Sequence, residues 1–435
     1  MNPRDQKHPA APDEPARDGA GSGGETAAAR AVTHASGLRA GAAPPGLEPG
    51  VLISAARRRD GGRGEGLMRA LAVFVLLYLF LLAIALLSAA FKLFGGEFSR
   101  QLIETTTNPV IGLLIGVLAT SMIQSSSSTT SIVVGMVAAG ALSVRGAIPI
   151  VMGANMGTTV TNTLVAMGSM GRRAEFRRAF AGATMHDFFN LCTIVLIFPL
   201  EQATRILERT ATWLSAELVG TSGVEFNSPV KIITKPVAKG IEHLFTDTAA
   251  LSNWLAGTLM LVLALAMLFT ALTYLQRTLQ TVVLKRAERS FHRYVTRGGL
   301  LAMAIGLLVT VSVQSSSITT SLLVPMIGAG IVPLESAFAV TVGANVGTTV
   351  TALLASLAGN GAAVTVALVH LLFNFAGIVL IYPIPAVRRI PIRMARTLAY
   401  RTSRRRSFAF IYMGLVFFVV PMLFVLVERL VRKTG

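Results

Sequence analysis

Long apolar stretches separated by short polar or basic segments dominate the chain. Three of them, 71–90, 260–275 and 408–427, contain almost only apolar residues. A bilayer core about 30 Å thick requires roughly 20 apolar residues in a helix that crosses it. The pattern therefore predicts an all-α integral membrane protein, with spans at about 67–94, 147–167, 176–199, 251–275, 336–358, 363–385 and 409–429.

Two further apolar stretches are interrupted in the middle by polar residues. The stretch Asn108–Gly140 contains the cluster Gln124–Ser131, and the stretch Gly298–Gly330 contains the cluster Gln314–Ser321. Non-helical backbone at membrane depth must be buried in protein or line a water-filled cavity. We therefore predict two re-entrant helical hairpins, each with its polar tip near the middle of the bilayer.

The polar clusters belong to an internal repeat. The pattern of Gln124–Ser131 recurs at Gln314–Ser321, and that of Gly153–Thr161 recurs at Gly343–Thr351, both shifted by 190 residues (314 − 124 and 343 − 153). Two polar motifs repeated at one common spacing indicate a duplicated fold.

These features divide the chain into six segments. Residues 1–66 are rich in Ala, Gly, Pro, Arg and Asp and show no apolar periodicity, which is typical of disorder. We predict a disordered cytoplasmic tail at 1–66, a first repeat at 67–199, an extracytoplasmic linker at 200–250, a second repeat at 251–385, a basic cytoplasmic loop at 386–408 and an extra C-terminal span at 409–435.

The charge distribution suggests how the chain is oriented. Only 14% of residues are charged, yet the formal net charge is +18, with basic clusters between the spans. Lys and Arg concentrate in cytoplasmic loops. A nucleic-acid partner is not expected, because no basic patch is interleaved with stacking aromatic residues. We predict a multi-pass protein of the cell inner (plasma) membrane with a cytoplasmic N-terminus, whose second repeat starts from the opposite side. Such inverted repeats are common in secondary transporters.

The chemistry of the hairpin tips favours an anion accompanied by sodium. Helix N-termini present free N–H groups and partial positive charge, which suits an anion. Hydroxyl and carbonyl oxygens suit Na⁺. The hairpin regions contain no Asp or Glu, whereas a carrier of cations alone would usually place a carboxylate in its core. No transition-metal site and no organic cofactor are expected.

Other polar positions have packing explanations. Gly153 with Gly157, and Gly343 with Gly347, match the small-xxx-small pattern of close helix packing. A looser echo of the repeat pairs His186 and Asn190 with His370 and Asn374. We expect both histidines to be hydrogen-bonded packing residues. Asp187 lies within an apolar span, where an acidic residue is a functional candidate by default, as a sodium ligand or a proton site.

The paired motifs resemble those of the type II sodium–phosphate cotransporter family, and we identify the chain as a bacterial member. Three further segments are similar to the family: Phe176–Asn190, Lys231–Thr234 and Tyr382–Pro385 with Pro391–Ala395. The resemblance covers about 108–420. It implies a sodium-coupled symporter that imports inorganic phosphate by alternating access within the lipid bilayer.

The resemblance also implies roles for individual residues. The first hairpin would supply phosphate contacts. We extend this assignment to the matching hairpin of the second repeat and to the asparagines of the repeated motifs. The residues assigned to phosphate are then Gln124, Ser125, Ser126, Ser127, Asn155, Ser315, Ser316, Ser317 and Asn345. One sodium site across the repeats would use Ser127, Ser128, Gln314, Thr348 and Thr351. An additional sodium site would lie near Thr163, Asp187 and Asn190. Family members typically carry Gln, Asp and Ser where this chain has Ser169, Arg172 and Ala344, so the sequence leaves the coupling stoichiometry open.

Alternatives of other classes stay open at this point. One is a sodium-coupled carrier of another oxyanion, such as sulfate. Another is a channel or a phosphate-sensing membrane protein that carries nothing stoichiometrically. An enzyme is not expected, because serine clusters without a positioned base are weak candidates for nucleophilic catalysis. The sequence does not determine the oligomeric state.

Overall fold

The computed structural model describes residues 63–219, 229–294 and 298–434. Residues 1–62 of the predicted tail lie outside these ranges. Every regular element within them is a helix, in the order α1 Arg63–Leu93, α2 Gly95–Thr105, α3 Pro109–Ile123, α4 Ser126–Ala139, α5 Val144–Gly157, α6 Thr159–Met167, α7 Arg173–Thr204, α8 Ile206–Val219, α9 Pro229–His243, α10 Asn253–Tyr294, α11 Gly299–Val313, α12 Ser316–Gly328, α13 Leu334–Ser356, α14 Gly361–Ile381, α15 Pro385–Arg404, α16 Ser407–Gly414 and α17 Val420–Thr434. Single π-helical turns, Leu244–Thr248 and Leu415–Val419, follow α9 and join α16 to α17.

The described residues confirm a multi-pass membrane protein. By length and composition, six helical segments can cross a bilayer: Gly66–Leu93, Arg173–Thr204, Asn253–Gln280, Leu334–Ser356, Gly361–Ile381 and Ser407–Val431. The predicted span at 147–167 is instead two helices, α5 and α6, which meet at Thr158. A short amphipathic helix that we did not predict, α2, joins α3 at an angle of 100°.

Two segments expected to be connections are largely helical. The 200–250 segment contains α8 and α9, and the 386–408 loop contains α15. Helix α15 buries Ile392, Ala395 and Ala399 and packs against α7. Its arginines hid this 3.6-residue apolar period, because we took them only as markers of a cytoplasmic loop.

Both interrupted stretches are helical hairpins. Helix α3 ends at a break before α4, and α11 ends at the corresponding break before α12. The break residues are Gln124 and Gln314, which have φ angles of 57° and 59°. This left-handed conformation is uncommon for residues other than glycine and costs free energy unless the surrounding structure holds it. Its occurrence at the same position of both repeats indicates a shared, constrained hairpin tip.

The contacts between helices follow the repeat and link its two copies. Helix α3 packs against α5, as α11 packs against α13. The last long helix of each repeat packs against the hairpin of the other: α7 against α12, and α14 against α4. The amphipathic helices continue this exchange, because α8 lies on α14 and α15 lies on α7. The inversion of one repeat relative to the other stays a prediction.

The motif glycines hold the hairpins against their neighbouring helices. A Cβ on Gly153 would overlap the backbone of Leu113, and one on Gly343 would overlap the backbone of Met303. Gly157 and Gly347 are similarly crowded. A Cβ on Gly347 would lie 2.9 Å from Leu307 O. The predicted small-residue packing is therefore confirmed in both repeats.

We expect Gly153→Ala to lower the midpoint of thermal unfolding in detergent. The new methyl group must force α5 away from α3, and overpacking of this kind costs about 1–3 kcal/mol. Gly171→Ala is the matched control, because nothing lies within 4 Å of a Cβ placed there. Equal midpoints for the two variants would contradict the close packing of α3 on α5.

Candidate functional site

Each hairpin tip is shaped by a serine N-cap. Ser125 Oγ accepts a hydrogen bond from Ser128 N at 3.2 Å, and Ser315 Oγ accepts one from Ile318 N at 3.4 Å. An N-cap of this kind satisfies one of the free N–H groups in the first helical turn. Ser125 and Ser315 were predicted to contact phosphate, and their hydroxyls are already used as caps at the start of α4 and α12.

The serines that follow the caps retain free hydroxyl groups. Within the described residues, the hydroxyls of Ser126, Ser127, Ser316 and Ser317 make no hydrogen bond to protein, although Ser126, Ser127 and Ser316 are buried. They lie beside first-turn N–H groups, which a helix leaves without an intrahelical partner. Each tip therefore presents hydroxyls and a helix N-terminus that can bind an anion.

The two tips differ in exposure. Gln124 is exposed, whereas Gln314 is only 8% exposed. Gln314 Oε1 accepts a hydrogen bond from Thr351 Oγ1 at 2.8 Å, and Gln314 Nε2 donates to Val311 O at 2.8 Å. Gln124 makes no side-chain hydrogen bond in the described part of the chain. The glutamine of the second tip is thus anchored, while that of the first is exposed and leaves buried serines behind it.

Helix α13 connects the anchored tip to the opposite repeat. It carries Thr348 and Thr351, which lie about one turn apart, and it packs against both α12 and α4. Thr351 reaches Gln314, as described above, and Thr348 Oγ1 donates to Ala344 O at 3.1 Å. Of the predicted sodium residues, Gln314 and Thr351 therefore share one helix–hairpin contact. Thr348 lies one turn away on α13, and Ser127 and Ser128 lie on the adjoining α4.

The asparagine of the first repeated motif is held by the second repeat. His370 Nε2 donates to Asn155 Oδ1 at 2.9 Å, and Asn155 Nδ2 donates to Asn374 Oδ1 at 3.1 Å. Asn374 Nδ2 donates in turn to His370 O at 3.0 Å. All three side chains are buried, so this cluster links α5 to α14 inside the protein.

The asparagine of the second motif is held by the first repeat in the same way. His186 Nε2 is hydrogen-bonded to Asn345 Oδ1, and Asn345 Nδ2 donates to Asn190 Oδ1 at 2.9 Å. His186 Nδ1 accepts from Thr159 Oγ1 at 2.6 Å. Asn190 Nδ2 donates to Asn155 O at 3.1 Å and so joins the two clusters.

This network gives the histidines the packing role that we predicted. Buried polar groups are stable only when they are hydrogen-bonded, and His186 and His370 each bond the motif asparagine of the other repeat. The amide groups of Asn155 and Asn345, which we assigned to phosphate, are engaged in the same bonds. Their positions fit a role in holding the two repeats together.

Asp187 is almost fully buried, and only one of its two carboxylate oxygens is hydrogen-bonded. Its Oδ2 accepts a hydrogen bond from the hydroxyl of Tyr412 at 2.8 Å, whereas its Oδ1 is buried and finds no hydrogen-bond partner among the described residues. The same is true of Thr163 Oγ1 on the neighbouring helix α6. Two of the three residues predicted for the additional sodium site therefore retain oxygens that a cation could satisfy. The third, Asn190, has its amide engaged in the inter-repeat network.

Two residues that sequence reasoning missed contact the site region. Asn162 Oδ1 accepts hydrogen bonds from Thr320 Oγ1 and Ser321 Oγ, both at 3.0 Å, and so joins α6 to the second hairpin. The residue of the second repeat that corresponds to Asn162 is Ala352. This departure of a polar residue from the repeat could have marked Asn162 as a candidate. Tyr412 lies in the extra C-terminal span, outside the repeats, where no repeat signal exists.

Comparisons with known proteins agree with the motifs. The family model described as "Na+/Pi-cotransporter" matches residues 79–213 and 267–423. The chain is 36% identical over 448 residues to sodium-dependent phosphate transport protein 2B of Homo sapiens, covering 82% of this chain and 65% of that protein. It is also 36% identical to protein 2A of Ovis aries, covering 86% of this chain and 69% of that protein, and 36% identical to protein 2A of Mus musculus, covering 83% and 68%.

The chain spans about two thirds of the length of these relatives. No solved structure matches it. The family match covers both repeats, including the two hairpins with their Gln-Ser-Ser-Ser tips. This chain belongs to the Na+/Pi-cotransporter family.

Proposed function

We propose that this protein is a secondary carrier that imports inorganic phosphate together with sodium by alternating access. The observation that carries the proposal is the pair of matched hairpin tips, each a helix break at a glutamine followed by free serine hydroxyls and a helix N-terminus. The relatives named above are sodium-dependent phosphate transport proteins. Membership of a transporter family also argues against an enzyme.

Phosphate binding is assigned first to the tip of the first hairpin. Ser126 and Ser127 offer hydroxyl donors beside the N–H groups that begin α4, and Gln124, two residues before them, is exposed. Partial positive charge at a helix N-terminus stabilises an anion. Since the hairpin carries no acidic residue, nothing in it repels phosphate, and sodium supplies the neutralising charge.

Sodium binding is assigned to oxygens around α13 and α7. Gln314 and Thr351 are already in contact, and Thr351 lies on α13, which packs against α4, the helix of Ser127 and Ser128. A second ion would be bound by the unpartnered oxygens of Asp187 and Thr163. Hydroxyl, amide and carboxylate oxygens are the ligands that a hard cation prefers.

Alternating access fits the unequal tips. Gln124 at the first tip is exposed, whereas Gln314 at the second is buried and anchored, although the two tips match in sequence and backbone conformation. Exchanging these two states between the repeats would expose the site to opposite sides in turn, as in carriers built from inverted repeats. We further propose that the protein lies in the plasma membrane with its N-terminus in the cytoplasm, an orientation that the basic segments between the spans support.

Uptake of radiolabelled phosphate into proteoliposomes tests the proposal directly. With the purified full chain, an inward sodium gradient should drive uptake, and an equal potassium gradient should not. Unlabelled arsenate should compete strongly, and sulfate weakly. Stronger competition by sulfate would favour the carrier of another oxyanion. Failure of internal phosphate to accelerate entry of labelled phosphate in a counterflow assay would contradict a carrier and favour a channel or sensor.

A further inference from the structure

A lysine-lined cavity lies at some distance from the hairpin tips. It is a half-open cavity of about 360 Å³ bordered by α1, α9, the end of α4 and the turn before α14. Four lysines and one acidic residue are among its lining side chains: Lys92, Lys231, Lys235, Lys239 and Glu242.

Helix α9 carries three lysines along one stripe that borders the cavity. Lys231, Lys235 and Lys239 recur at intervals of four residues, next to the buried Ala238. Lys235 and Lys239 are exposed, as is Lys92 on α1. Their ammonium groups therefore remain in water at the edge of the cavity.

The helix is held in this orientation by α1. The hydroxyl of Tyr78 donates a hydrogen bond to Ile233 O at 3.3 Å. The cavity wall on the α1 side is formed by small residues, Ala85, Ser88 and Ala89, and by Lys92. Small side chains leave space between α1 and α9, and the four lysines border that space.

Charge in this cavity strongly favours an anion. Among the described residues that line the cavity, Lys92, Lys235 and Lys239 supply three positive charges beside the one carboxylate of Glu242. A cleft lined by one sign of charge between walls of low dielectric concentrates counter-ions and raises their association rates, by roughly 10-fold or more. An oxyanion with two negative charges benefits more than chloride, because its attraction to the cluster is doubled.

The cavity borders the helix that leads to the proposed transport site. Its wall includes Ala138, near the end of α4, whose first turn carries Ser126 and Ser127. The rise of an α-helix places these two ends about 18 Å apart. Asn360 fixes the junction, because its Nδ2 donates to Ala138 O at 3.3 Å and its Oδ1 accepts from Ala363 N at 3.1 Å.

We infer that this lysine-lined cavity is a binding site for phosphate-type oxyanions, which collects them before they reach the hairpin tips. The role in phosphate capture rests on the proposed function, whereas the binding of an oxyanion rests on the residues that line the cavity. The same chemistry could be supplied by free inorganic phosphate or by the phosphate group of a lipid.

The triple variant Lys92→Gln/Lys235→Gln/Lys239→Gln tests the site by transport. At constant sodium and low ionic strength, its KM for phosphate should rise about tenfold with an unchanged maximal rate, since only capture is affected. At high ionic strength the difference from wild type should disappear, because salt screens exposed charges. Arg209→Gln is the matched control: it removes an exposed cation of α8 that does not line the cavity. A KM equal to that of wild type at low ionic strength would overturn the inference.

Lipid composition separates the two sources of the oxyanion. If free phosphate is bound, the rise in KM should be the same in vesicles of phosphatidylcholine and in vesicles that also contain phosphatidylglycerol. If a lipid phosphate is bound, phosphatidylglycerol should raise the KM of wild type by competing for the cavity and should leave the triple variant unaffected. Either pattern supports an oxyanion site.

A second measurement does not depend on transport. In detergent, inorganic phosphate should slow the acylation of Lys235 and Lys239 by an amine-reactive reagent, as measured by mass spectrometry, more than chloride does at equal ionic strength. Equal protection by the two anions would overturn the inference. Absence of sodium-dependent uptake by wild type, with protection intact, would instead count against the proposed function alone.

Discussion

Replacing Gln314 with alanine should reduce sodium-dependent phosphate uptake to background. The change removes the amide that accepts from Thr351 Oγ1 and donates to Val311 O. An unpaired buried hydroxyl costs about 1–3 kcal/mol, and the proposed sodium site loses a ligand as well. Gln124→Ala should have the same effect on uptake, through loss of the exposed amide at the other tip. Initial rates of labelled phosphate uptake measure both.

Controls separate chemistry from misfolding. Alanine is strained in the left-handed conformation of residue 314, where asparagine is better tolerated. Gln314→Asn keeps an amide but shortens it by one methylene, so it should fold like wild type and still lose most uptake. Gln101→Ala changes an exposed glutamine of α2 and should transport normally. Normal uptake by Gln124→Ala and Gln314→Ala, with the wild-type thermal midpoint, would refute the hairpin site.

Replacing Asp187 with glycine should remove most of the transport current while part of the phosphate uptake remains. The carboxylate is buried in α7 with one oxygen unpartnered, and a buried charge of this kind marks an ion site by default. Loss of one sodium per cycle would leave each phosphate with less accompanying positive charge. Simultaneous recording of current and labelled uptake gives the charge carried per phosphate.

Tyr412→Phe is the comparison for this variant. It removes the hydroxyl that donates to Asp187 Oδ2 and retains the carboxylate. The charge carried per phosphate should therefore equal that of wild type, with a changed dependence on sodium concentration. If Asp187→Gly also keeps the wild-type ratio, Asp187 does not bind a transported ion.

The hairpins and the glycine contacts were predictable because the same residues occur at matching positions of both repeats. A polar cluster inside an apolar stretch requires a break in the helix wherever it occurs, and Gln124 and Gln314 break their helices identically. The crowded glycines Gly153 and Gly343 follow from spacing alone, since only glycine allows such close backbone approach.

The missed features depend on contacts between distant parts of the chain. Arg178 belongs to a basic cluster between two spans, yet its Nε donates to Gly328 O at 2.7 Å at the end of α12. Tyr412 reaches Asp187 across 225 residues. The engagement of Asn155 with His370 likewise depends on which helices become neighbours. The local sequence shows which donors and acceptors a residue carries, whereas the tertiary fold determines which groups they contact.

The exchange of histidine and asparagine bonds makes each half of the molecule incomplete by itself. A single repeat would bury an amide and an imidazole whose partners lie in the other copy, and unsatisfied groups of this kind oppose folding. Two identical half-length chains facing each other could make the same bonds reciprocally. A one-repeat precursor of this fold would thus have needed to assemble as a homodimer before gene duplication joined the copies.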